Sequence, residues 1–270
     1  MKLSKIFIYP IKSLGGISVQ SANVEERGLQ YDRRWMLIDE DNQFITQRTH
    51  PQMSLLNVEI SKEGLEVSHK IESIENLDIP FDNNDSAVNV TVWDDNCLAQ
   101  TTSKEIDDWF SEALEVNCKL VYMPDTTERI VDPRYVSDKK IVGFADGYPF
   151  LIIGQSSLDL LNSKLDDPVP MNRFRPNFVF TGGEPHDEDN WNQFNIGSTI
   201  FNAVKPCSRC LLTTVNQDTG IKGKEPLSTL SKYRSVNNKV LFGQNLVCTQ
   251  KNRINIGDKI EVLNYIEKTL

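Results

Sequence analysis

The sequence predicts an α+β protein that is rich in strands. Short runs of β-branched and aromatic residues recur along the chain, whereas patterns typical of amphipathic helices are few. Strand and helix patterns also follow one another without regular alternation, which argues against a doubly wound parallel sheet. We therefore expect many short strands with scattered helices around a barrel-like or sandwich core.

Several segments carry the strand pattern. Hydrophobic and polar residues alternate from residue 88 to residue 92, as in a strand with one buried face. Other runs are short and apolar or aromatic, and turn residues such as the glycine pair at 182 and 183 bound several of them. These runs cover residues 35–38, 150–153, 178–180 and 260–263.

Three segments predict helices. Residues 102–105 form a Thr-Ser-Lys-Glu capping box, and apolar residues follow at one-face spacing between positions 106 and 114. Ser156 or Ser157 would cap a second helix, whose buried face carries three leucines. Pro226 suits the first turn of a short third helix.

The length of 270 residues allows one large domain or two small ones. Residues 123–140 are polar and charged, include Pro124 and Pro133, and show little apolar periodicity. We expect a domain boundary at the start of this segment. The first domain would comprise residues 1–122 and the second residues 123–270.

Composition and charge exclude some classes of protein. Hydrophobic residues make up 39% of the chain and charged residues 25%, which is ordinary for a globular protein. The net charge is -9, from 29 basic and 38 acidic residues, and this disfavours nucleic acids and anionic membranes as general partners because both require a positive field. The sequence shows no transmembrane run or signal-peptide pattern, and its five cysteines are too scattered for a disulfide framework. We expect a cytoplasmic protein with no nucleic-acid and no membrane partner.

The pair Cys207 and Cys210 is the sharpest local motif, with Lys205 and Arg209 beside it. A Cys-x-x-Cys pair can be half of a zinc site, a redox dithiol, or two buried cysteines of which one is reactive. A second pair of zinc ligands is missing, because the three histidines lie far apart in the sequence. A strand-like run at 211–215 follows the motif, whereas a thioredoxin-like dithiol begins a helix. The neighbouring cations would favour a thiolate, the form that binds metals and attacks electrophiles.

Basic residues next to hydroxyl or amide groups form a second signal. Lys12 and Ser13 precede a glycine pair, an arrangement that can cradle a phosphate. Arg33 precedes a strand pattern, Arg48 follows a Thr-Gln pair, and Arg175 belongs to a third basic cluster. Arginine offers a forked, permanently charged donor set that suits phosphate or a polar heterocycle. Each of these residues alone is typical of a solvated surface, so only their convergence would make a site.

Asp146 lies in a turn before the apolar run at 150–153. It is either a turn-forming residue or an active-site carboxylate. The common dinucleotide-binding, P-loop, hydrolase and zinc-protease motifs do not occur in the sequence.

Two sets of segments resemble the MOSC family. Tyr-Pro-Ile-Lys-Ser at 9–13, Tyr-Asp-Arg-Arg-Trp at 31–35 and Thr-Gln-Arg at 46–48 resemble its N-terminal β-rich domain. Five further segments resemble the C-terminal MOSC domain, and they lie at 172–177, 207–220, 224–227, 233–234 and 242–244. The resemblance follows the family's order over nearly the whole chain, and it extends to the mitochondrial amidoxime-reducing components and their bacterial relatives.

This resemblance implies a β-rich N-terminal domain followed by a MOSC β-barrel domain with flanking helices. It also implies a molybdenum cofactor (Mo-molybdopterin), a pterin dithiolene that chelates molybdenum and carries a phosphate. The family's cysteine ligand corresponds to Cys210, and a soft thiolate suits a metal already bound to sulfur. Asp146 corresponds to a carboxylate near the metal, so Cys210 and Asp146 are the expected catalytic residues. The positions that hold phosphate and pterin correspond to Lys12, Ser13, Arg33, Arg48, Arg175, Asn177, Ser208 and Arg209.

The activity that the resemblance implies is a molybdenum-dependent reduction of N-hydroxylated compounds such as hydroxylamines and amidoximes. Only Cys248 follows the motif at 207–210, too few thiolates for the [2Fe–2S] domain of some bacterial relatives. We therefore expect electrons from a separate donor, a ferredoxin, a flavodoxin or a cytochrome b5-like protein. Two alternatives stay open. One is a sulfur-transfer protein with a persulfide on Cys210, since related domains occur in sulfurases that also contain a pyridoxal phosphate domain. The other is a non-catalytic cofactor-binding module.

Overall fold

Strands far outnumber helices among the described residues, and the predicted β-rich α+β class is confirmed. The computed structural model describes residues 1–82, 85–136, 138–248 and 250–266. The strands of the first half are β1 (Lys2–Ile8), β2 (Ile17–Val19), β3 (Ser21–Glu25), β4 (Gly28–Leu29), β5 (Trp35–Ile38), β6 (Leu56–Ile60), β7 (Gly64–His69), β8 (Leu77–Pro80), β9 (Ala87–Val92), β10 (Asp95–Thr101) and β11 (Lys119–Tyr122). Those of the second half are β12 (Arg129–Ile130), β13 (Ile141–Val142), β14 (Phe150–Gly154), β15 (Phe178–Thr181), β16 (Trp191–Ile196), β17 (Thr199–Arg209), β18 (Ser235–Val236), β19 (Lys239–Cys248), β20 (Asn252–Asn255) and β21 (Ile260–Tyr265). The α-helices are α1 (Lys104–Leu114), α2 (Gln155–Asn162) and α3 (Leu227–Ser231).

The largest sheet uses strands from both ends of the chain. Its order is β2-β1-β15-β14-β19-β17-β16-β21, and β18 also pairs with β19. β1 runs antiparallel to β15, with Leu3 opposite Phe180 and Ile6 opposite Phe178. The first strand of the chain is therefore part of the framework of the second half. The domain division between residues 122 and 123 stays a prediction.

Four smaller sheets in the described part of the chain accompany this framework. They have the orders β5-β11-β10-β9, β6-β7-β8, β20-β3-β4 and β12-β13. The pairing of β20 with β3 is a second contact between the end of the chain and its beginning. Loops of the first 50 residues are thereby held against the strand ends of the second half.

The core of the largest sheet is aromatic. Phe150, Phe178, Phe194 and Phe201 are wholly buried, and the rings of Phe178 and Phe201 pack edge to face with centroids 5.3 Å apart. Burial of one such side chain contributes roughly 2–3 kcal/mol. A second core lies beneath α1 and includes Phe110. These two cores fix the strand ends from which the loops of the candidate site project.

The three predicted helices are present, but two of their predicted caps are wrong. The hydroxyl of Thr102 donates to the carbonyl of Leu120 (3.2 Å), and the N-cap residue of α1 makes no side-chain cap hydrogen bond. The N-cap residue of α2 is Gly154, while Ser157 donates to the buried carboxylate of Glu188 (3.2 Å). Both hydroxyl groups have tertiary partners, which a local capping pattern does not reveal. No helix in the described ranges is long and apolar enough to span a membrane.

The run at 211–215 is not a strand, contrary to the sequence prediction. Leu211–Thr214 forms a 3-10 helix directly after β17. The hydroxyl of Thr213 donates to the carbonyl of Cys210 (3.0 Å), and that of Thr214 donates to the carbonyl of Leu211 (2.8 Å). Such hydrogen bonds to a carbonyl three residues earlier stabilise a turn against the strand preference of threonine.

Candidate functional site

A cleft lies where the loop after β1 meets the ends of β14, β17 and the segment before β15. It encloses about 760 Å3, open solvent at its mouth included. Nine of the ten predicted site residues line it: Lys12, Ser13, Arg33, Asp146, Arg175, Asn177, Ser208, Arg209 and Cys210. The structure thus brings together residues that are up to about 200 positions apart in the chain, and makes one site of the scattered basic groups.

The cysteine wall of the cleft is the end of the long strand β17. A register irregularity between Pro206 and Ser208 interrupts its pairing with β19, so that the strand bends where the motif begins. The chain then turns at Cys210 into the 3-10 helix. Both cysteines are partly exposed, and the Nη1 of Arg209 donates to the Sγ of Cys207 at 2.8 Å. Both cysteines line the cleft. Arg209 donates to Cys207, whereas Cys210 lies at the turn between β17 and the 3-10 helix.

The opposite wall carries a lysine–aspartate pair. The Nζ of Lys12 donates to the Oδ1 of Asp146 (2.5 Å) and to the carbonyl of Phe144 (2.7 Å). Burial is the main reason that the pKa of Lys12 falls from 10.5 to about 8, and the negative charge of Asp146 limits the fall. Enclosure by the protein alone would raise the pKa of Asp146, but Lys12, with help from Arg48 and Trp93, holds the pKa of this carboxyl well below its usual range. Both members of the pair are therefore charged at neutral pH.

Two arginines pack on one buried tyrosine at the base of the cleft. The guanidinium groups of Arg33 and Arg175 lie 4.3 and 4.2 Å from the ring centroid of Tyr9. Arg33 is also paired with the buried carboxylate of Asp32 (2.6 Å), and Arg175 donates to the carbonyl of Leu14 (2.6 Å). Burial, together with the nearby positive charge of Arg33, lowers the pKa of Arg175 to about 10, so the guanidinium stays charged. The tyrosine ring therefore orients two permanent cations toward the same cleft.

Three of the cleft residues have strained backbone conformations. Ser13, Arg33 and Arg175 have φ angles of 69°, 48° and 54°, in the left-handed region that non-glycine residues rarely adopt. Each such conformation costs of order 1–3 kcal/mol and persists where the surrounding structure enforces it. Strain of this kind concentrates at binding and catalytic sites, and here it falls on residues that the sequence singled out.

The glycine pair after Ser13 is required for close packing, and a role of this loop in holding a phosphate stays a prediction. A Cβ on Gly16 would lie 2.3 Å from the ring of Tyr9, and one on Gly15 would lie 2.9 Å from the carbonyl oxygen of Leu56. Neither position has room for a side chain. These glycines therefore allow Tyr9 and the neighbouring strand to approach the loop closely.

Asn177 lines the cleft, but its amide is engaged in the framework. The side-chain oxygen accepts from the backbone N–H of Leu151 (3.2 Å), and the side-chain nitrogen donates to the carbonyl of Phe7 (3.2 Å). The Asn177 side chain thus joins β1 to β14 beneath the cleft. Its sequence-based role as a cofactor ligand stays a prediction.

Arg48 is the predicted site residue that is not part of the cleft wall. Its guanidinium lies 4.0 Å from the ring centroid of Trp93, and the Nε1 of Trp93 donates to the Oδ1 of Asp146 at 3.3 Å. Arg48 therefore contacts the site through an aromatic neighbour. Sequence analysis missed Trp93, since a lone tryptophan in a hairpin turn gives no local signal of a site.

Arg129 was also missed by sequence analysis. It lies in the polar segment that predicted a domain boundary, yet its side chain is 97% buried, with only 3% exposed. Its Nη atoms donate to the carbonyls of Gly143 (3.0 Å), Ala145 (2.5 Å) and Asp146 (2.9 Å). Three carbonyls of one loop are thus held by one guanidinium. No pattern of spacing in the sequence indicates such a contact.

The cleft walls fit a cofactor that is anionic and supplies most of its own metal ligands. Among the described residues, Arg175 Nη2 and Arg209 Nε are buried without a hydrogen-bond partner. Unpaired buried donors are costly, so these atoms suit a phosphate or a polar heterocycle in the cleft. The thiol of Cys210 is one soft donor group on the cleft wall, and no group of three or more His, Cys, Asp or Glu side chains in the described ranges is placed to hold a metal ion.

Comparison with known proteins identifies the family. The model of the MOSC N-terminal beta barrel domain matches residues 1–117, and that of the MOSC domain matches residues 139–261. The chain is 32% identical to mitochondrial amidoxime-reducing component 1 of Mus musculus, over 97% of this chain and 82% of that protein. It is 29% identical to the Homo sapiens protein of the same name, with the same two coverages.

A second kind of relative is similar to this chain over only part of its own length. The molybdenum cofactor sulfurase of Oryza sativa is 32% identical over 89% of this chain, but the match spans only 32% of the sulfurase, about a third of its length. Both kinds of relative are named for molybdenum cofactor or amidoxime chemistry. The order of the two domain matches agrees with the segments that resembled the family. The chain therefore belongs to the MOSC family.

Proposed function

We propose that the cleft binds the molybdenum cofactor, with the Cys210 thiolate as the protein ligand of the metal, and that the protein reduces N-hydroxylated compounds to amines and amidines. One observation carries this proposal. Cys210 shares a single cleft with Lys12, Arg33, Arg175 and Arg209, in a chain whose net charge is -9. A cluster of cations next to one thiol suits an anionic, sulfur-rich metal cofactor.

Each residue would have a role in binding. The guanidinium groups of Arg33 and Arg175, held on the ring of Tyr9, would face the phosphate of the cofactor. The unpaired Nε of Arg209 and the polar groups of Ser13 and Ser208 would bind phosphate or pterin. Arg48 would support the site by stacking on Trp93. Asn177 would hold β1 and β14 together beneath the cleft.

The bound cofactor would supply two-electron redox chemistry. The overall reaction, R–NH–OH + 2e− + 2H+ → R–NH2 + H2O, breaks an N–O bond and consumes two protons. Lys12 can hold and return a proton near neutral pH, since burial lowers its pKa to about 8. Asp146 accepts hydrogen bonds from Lys12 and Trp93 through Oδ1, so its other oxygen is available to accept from a substrate N–H or from water.

We further propose that electrons come from a separate donor protein, a ferredoxin, a flavodoxin or a cytochrome b5-like protein. The two amidoxime-reducing relatives are named as components, which supports a system of more than one protein. A cytoplasmic location also stays a prediction, because those relatives are named mitochondrial.

The first experiment measures molybdenum and pterin per chain after expression in a host that makes the cofactor. We expect near-stoichiometric molybdenum in the wild type, a loss in Cys210→Ala, and retention in the matched control Cys207→Ala. Reduction of benzamidoxime with reduced methyl viologen should follow the same order. Full molybdenum content and turnover in Cys210→Ala would contradict the ligand assignment. Metal-free wild type from that host would contradict cofactor binding.

A sulfur-transfer protein is the second candidate, because the match to the rice sulfurase covers 89% of this chain. In that case Cys210 would carry a persulfide. Incubation with a pyridoxal-phosphate-dependent cysteine desulfurase and cysteine, followed by cyanide, would release thiocyanate from the wild type and not from Cys210→Ala. Thiocyanate release from metal-free protein without benzamidoxime reduction would favour this candidate. A loaded protein that reduces no substrate with any donor would instead be a cofactor-binding module.

A further inference from the structure

We infer that Arg129 is the positioning residue of the cleft: it fixes the loop at 143–146 so that Asp146 stays paired with Lys12 and presents its second carboxylate oxygen to the substrate. The inference rests on the proposed function for the role of Asp146. It adds a residue that lies outside the cleft wall and contacts the loop through backbone carbonyls.

Among the described residues, Arg129 makes four side-chain hydrogen bonds, three of them to this loop. Besides the three carbonyls of Gly143, Ala145 and Asp146, its Nε donates to the Oδ2 of Asp95 at 2.8 Å. Only a planar, forked guanidinium can serve several acceptors in fixed directions. A lysine ammonium at this position would reach some of these acceptors but could not span them all.

Two residues in or next to the turn between β9 and β10 help to hold the loop at 143–146. Asp95 begins β10, and Trp93 lies two residues earlier in the turn with a left-handed φ of 59°. Asp95 pairs with Arg129, while the indole of Trp93 donates to the side chain of Asp146. Arg48 stacks on the indole at 4.0 Å. The turn and Arg129 together therefore hold the loop that carries the Asp146 carboxylate.

In this arrangement the two oxygens of the Asp146 carboxylate have different hydrogen-bond partners. Oδ1 accepts from Lys12 and from Trp93, whereas no residue in the described ranges donates a hydrogen bond to Oδ2. The side chain of Asp146 is 63% exposed, and the residue lines the cleft. A carboxylate held by one oxygen in this way offers the other in a constant direction, which catalysis requires. Release of the loop would let the carboxylate rotate and lose both donors.

The test uses the fluorine NMR spectrum of protein labelled with 5-fluorotryptophan. The chain has four tryptophans, and Trp93→Phe identifies the signal of Trp93. In Arg129→Met we expect this signal to move toward the position of free 5-fluorotryptophan, because the indole loses its carboxylate partner. Arg129→Lys should move it in the same direction by a smaller amount. Arg134→Met is the matched control, since Arg134 is 81% exposed and its contacts are with the nearby residues Asp132 and Tyr135, away from the loop at 143–146.

The other three tryptophan signals report whether the variants are folded. Should Arg129→Met fail to fold, Asp95→Asn keeps the guanidinium, removes its counterion and should shift the Trp93 signal in the same direction. In the loaded enzyme, Arg129→Lys should lower kcat for benzamidoxime roughly 10- to 100-fold with little change in KM. An unchanged Trp93 signal in a folded Arg129→Met or Asp95→Asn would overturn the inference, and so would an equal shift in Arg134→Met. The NMR measurement needs no turnover, so an inactive wild type would count against the proposed function alone.

Discussion

The ammonium nitrogen of Lys12 lies 2.5 Å from the Oδ1 of Asp146, although 134 residues separate the two in the chain. Lys12 is 4% exposed, whereas the carboxylate faces the open cleft. A buried ammonium group is thus paired with a carboxylate that is exposed to solvent. This relationship brings a residue of the first loop and a residue of the second half into one chemical unit, and it leads to the first prediction.

Lys12 should make the folded state more stable as the pH rises above about 8. Its pKa is lowered from 10.5 to about 8 by burial, so between these values the unfolded chain holds a proton that the folded chain has lost. The free energy of unfolding should therefore rise over this window, by up to roughly 3 kcal/mol at about 1.4 kcal/mol per pKa unit. Urea denaturation of the wild type and of Lys12→Met measures the difference. Exposed Lys139→Met is the control, and identical pH profiles for wild type and Lys12→Met would refute the prediction.

Glu188 should have the opposite effect at lower pH. Burial is the main reason that its pKa rises from 4.5 to about 7, although Gly154 and Ser157 donate to it. The stability that protonated Glu188 gives the folded state is fully present below about pH 4.5 and should be lost as the pH rises through 7. The reason is that the carboxylate must then ionise in the folded state, where it is shielded from water. Glu188→Gln should raise the free energy of unfolding at pH 8 by roughly 1–3 kcal/mol and flatten its pH profile. Thermal or urea unfolding between pH 5 and pH 8 tests this, and a destabilised Gln variant at pH 8 would contradict it.

Gly16→Ala should destabilise the fold and loosen the base of the cleft. The new Cβ would lie 2.3 Å from the ring of Tyr9, which is 1% exposed and packed by two guanidinium groups, so the ring has no room to move. We expect a loss of roughly 1–3 kcal/mol. Gly223→Ala is the control, because its Cβ would meet its nearest neighbour at 3.9 Å. Equal unfolding midpoints for the two variants would show that Tyr9 is not held as described.

Arg175→Met should release the cofactor without removing its thiolate ligand. Loss of a charge-assisted hydrogen bond to an anion costs roughly 1.5–3 kcal/mol, so retention should fall about 10- to 100-fold. Pterin, phosphate and molybdenum per chain after gel filtration are the measurements, and exposed Arg253→Met is the control. Full occupancy in a folded Arg175→Met would remove this arginine from the binding site. The prediction rests on the unpaired Nη2 of Arg175.

The strands were predictable because their signal is local. Alternation at 88–92 corresponds to β9, because side chains along a strand point to opposite faces. The continuous apolar run at 35–38 is β5, all four residues of which are buried. The helix caps and the run at 211–215 were not predictable in this way. Their threonine and serine hydroxyls could bond to the backbone beside them or to groups far along the chain, and only packing selects the partner.

Composition and residue patterns established a β-rich, acidic chain, and the ordered segments established its resemblance to one family. They also supplied the types of residue at the site: one soft thiol, several permanent cations and a carboxylate. The tertiary structure decided that these groups meet in one cleft, that the glycine pair packs closely against Tyr9 and Leu56, and that Arg48 stacks on Trp93 beside the cleft. It also revealed Arg129, whose four acceptors lie between 14 and 34 residues away. Hydrophobic periodicity records which face of an element is buried, but distances between side chains depend on how sheets pack, and no single segment contains that information.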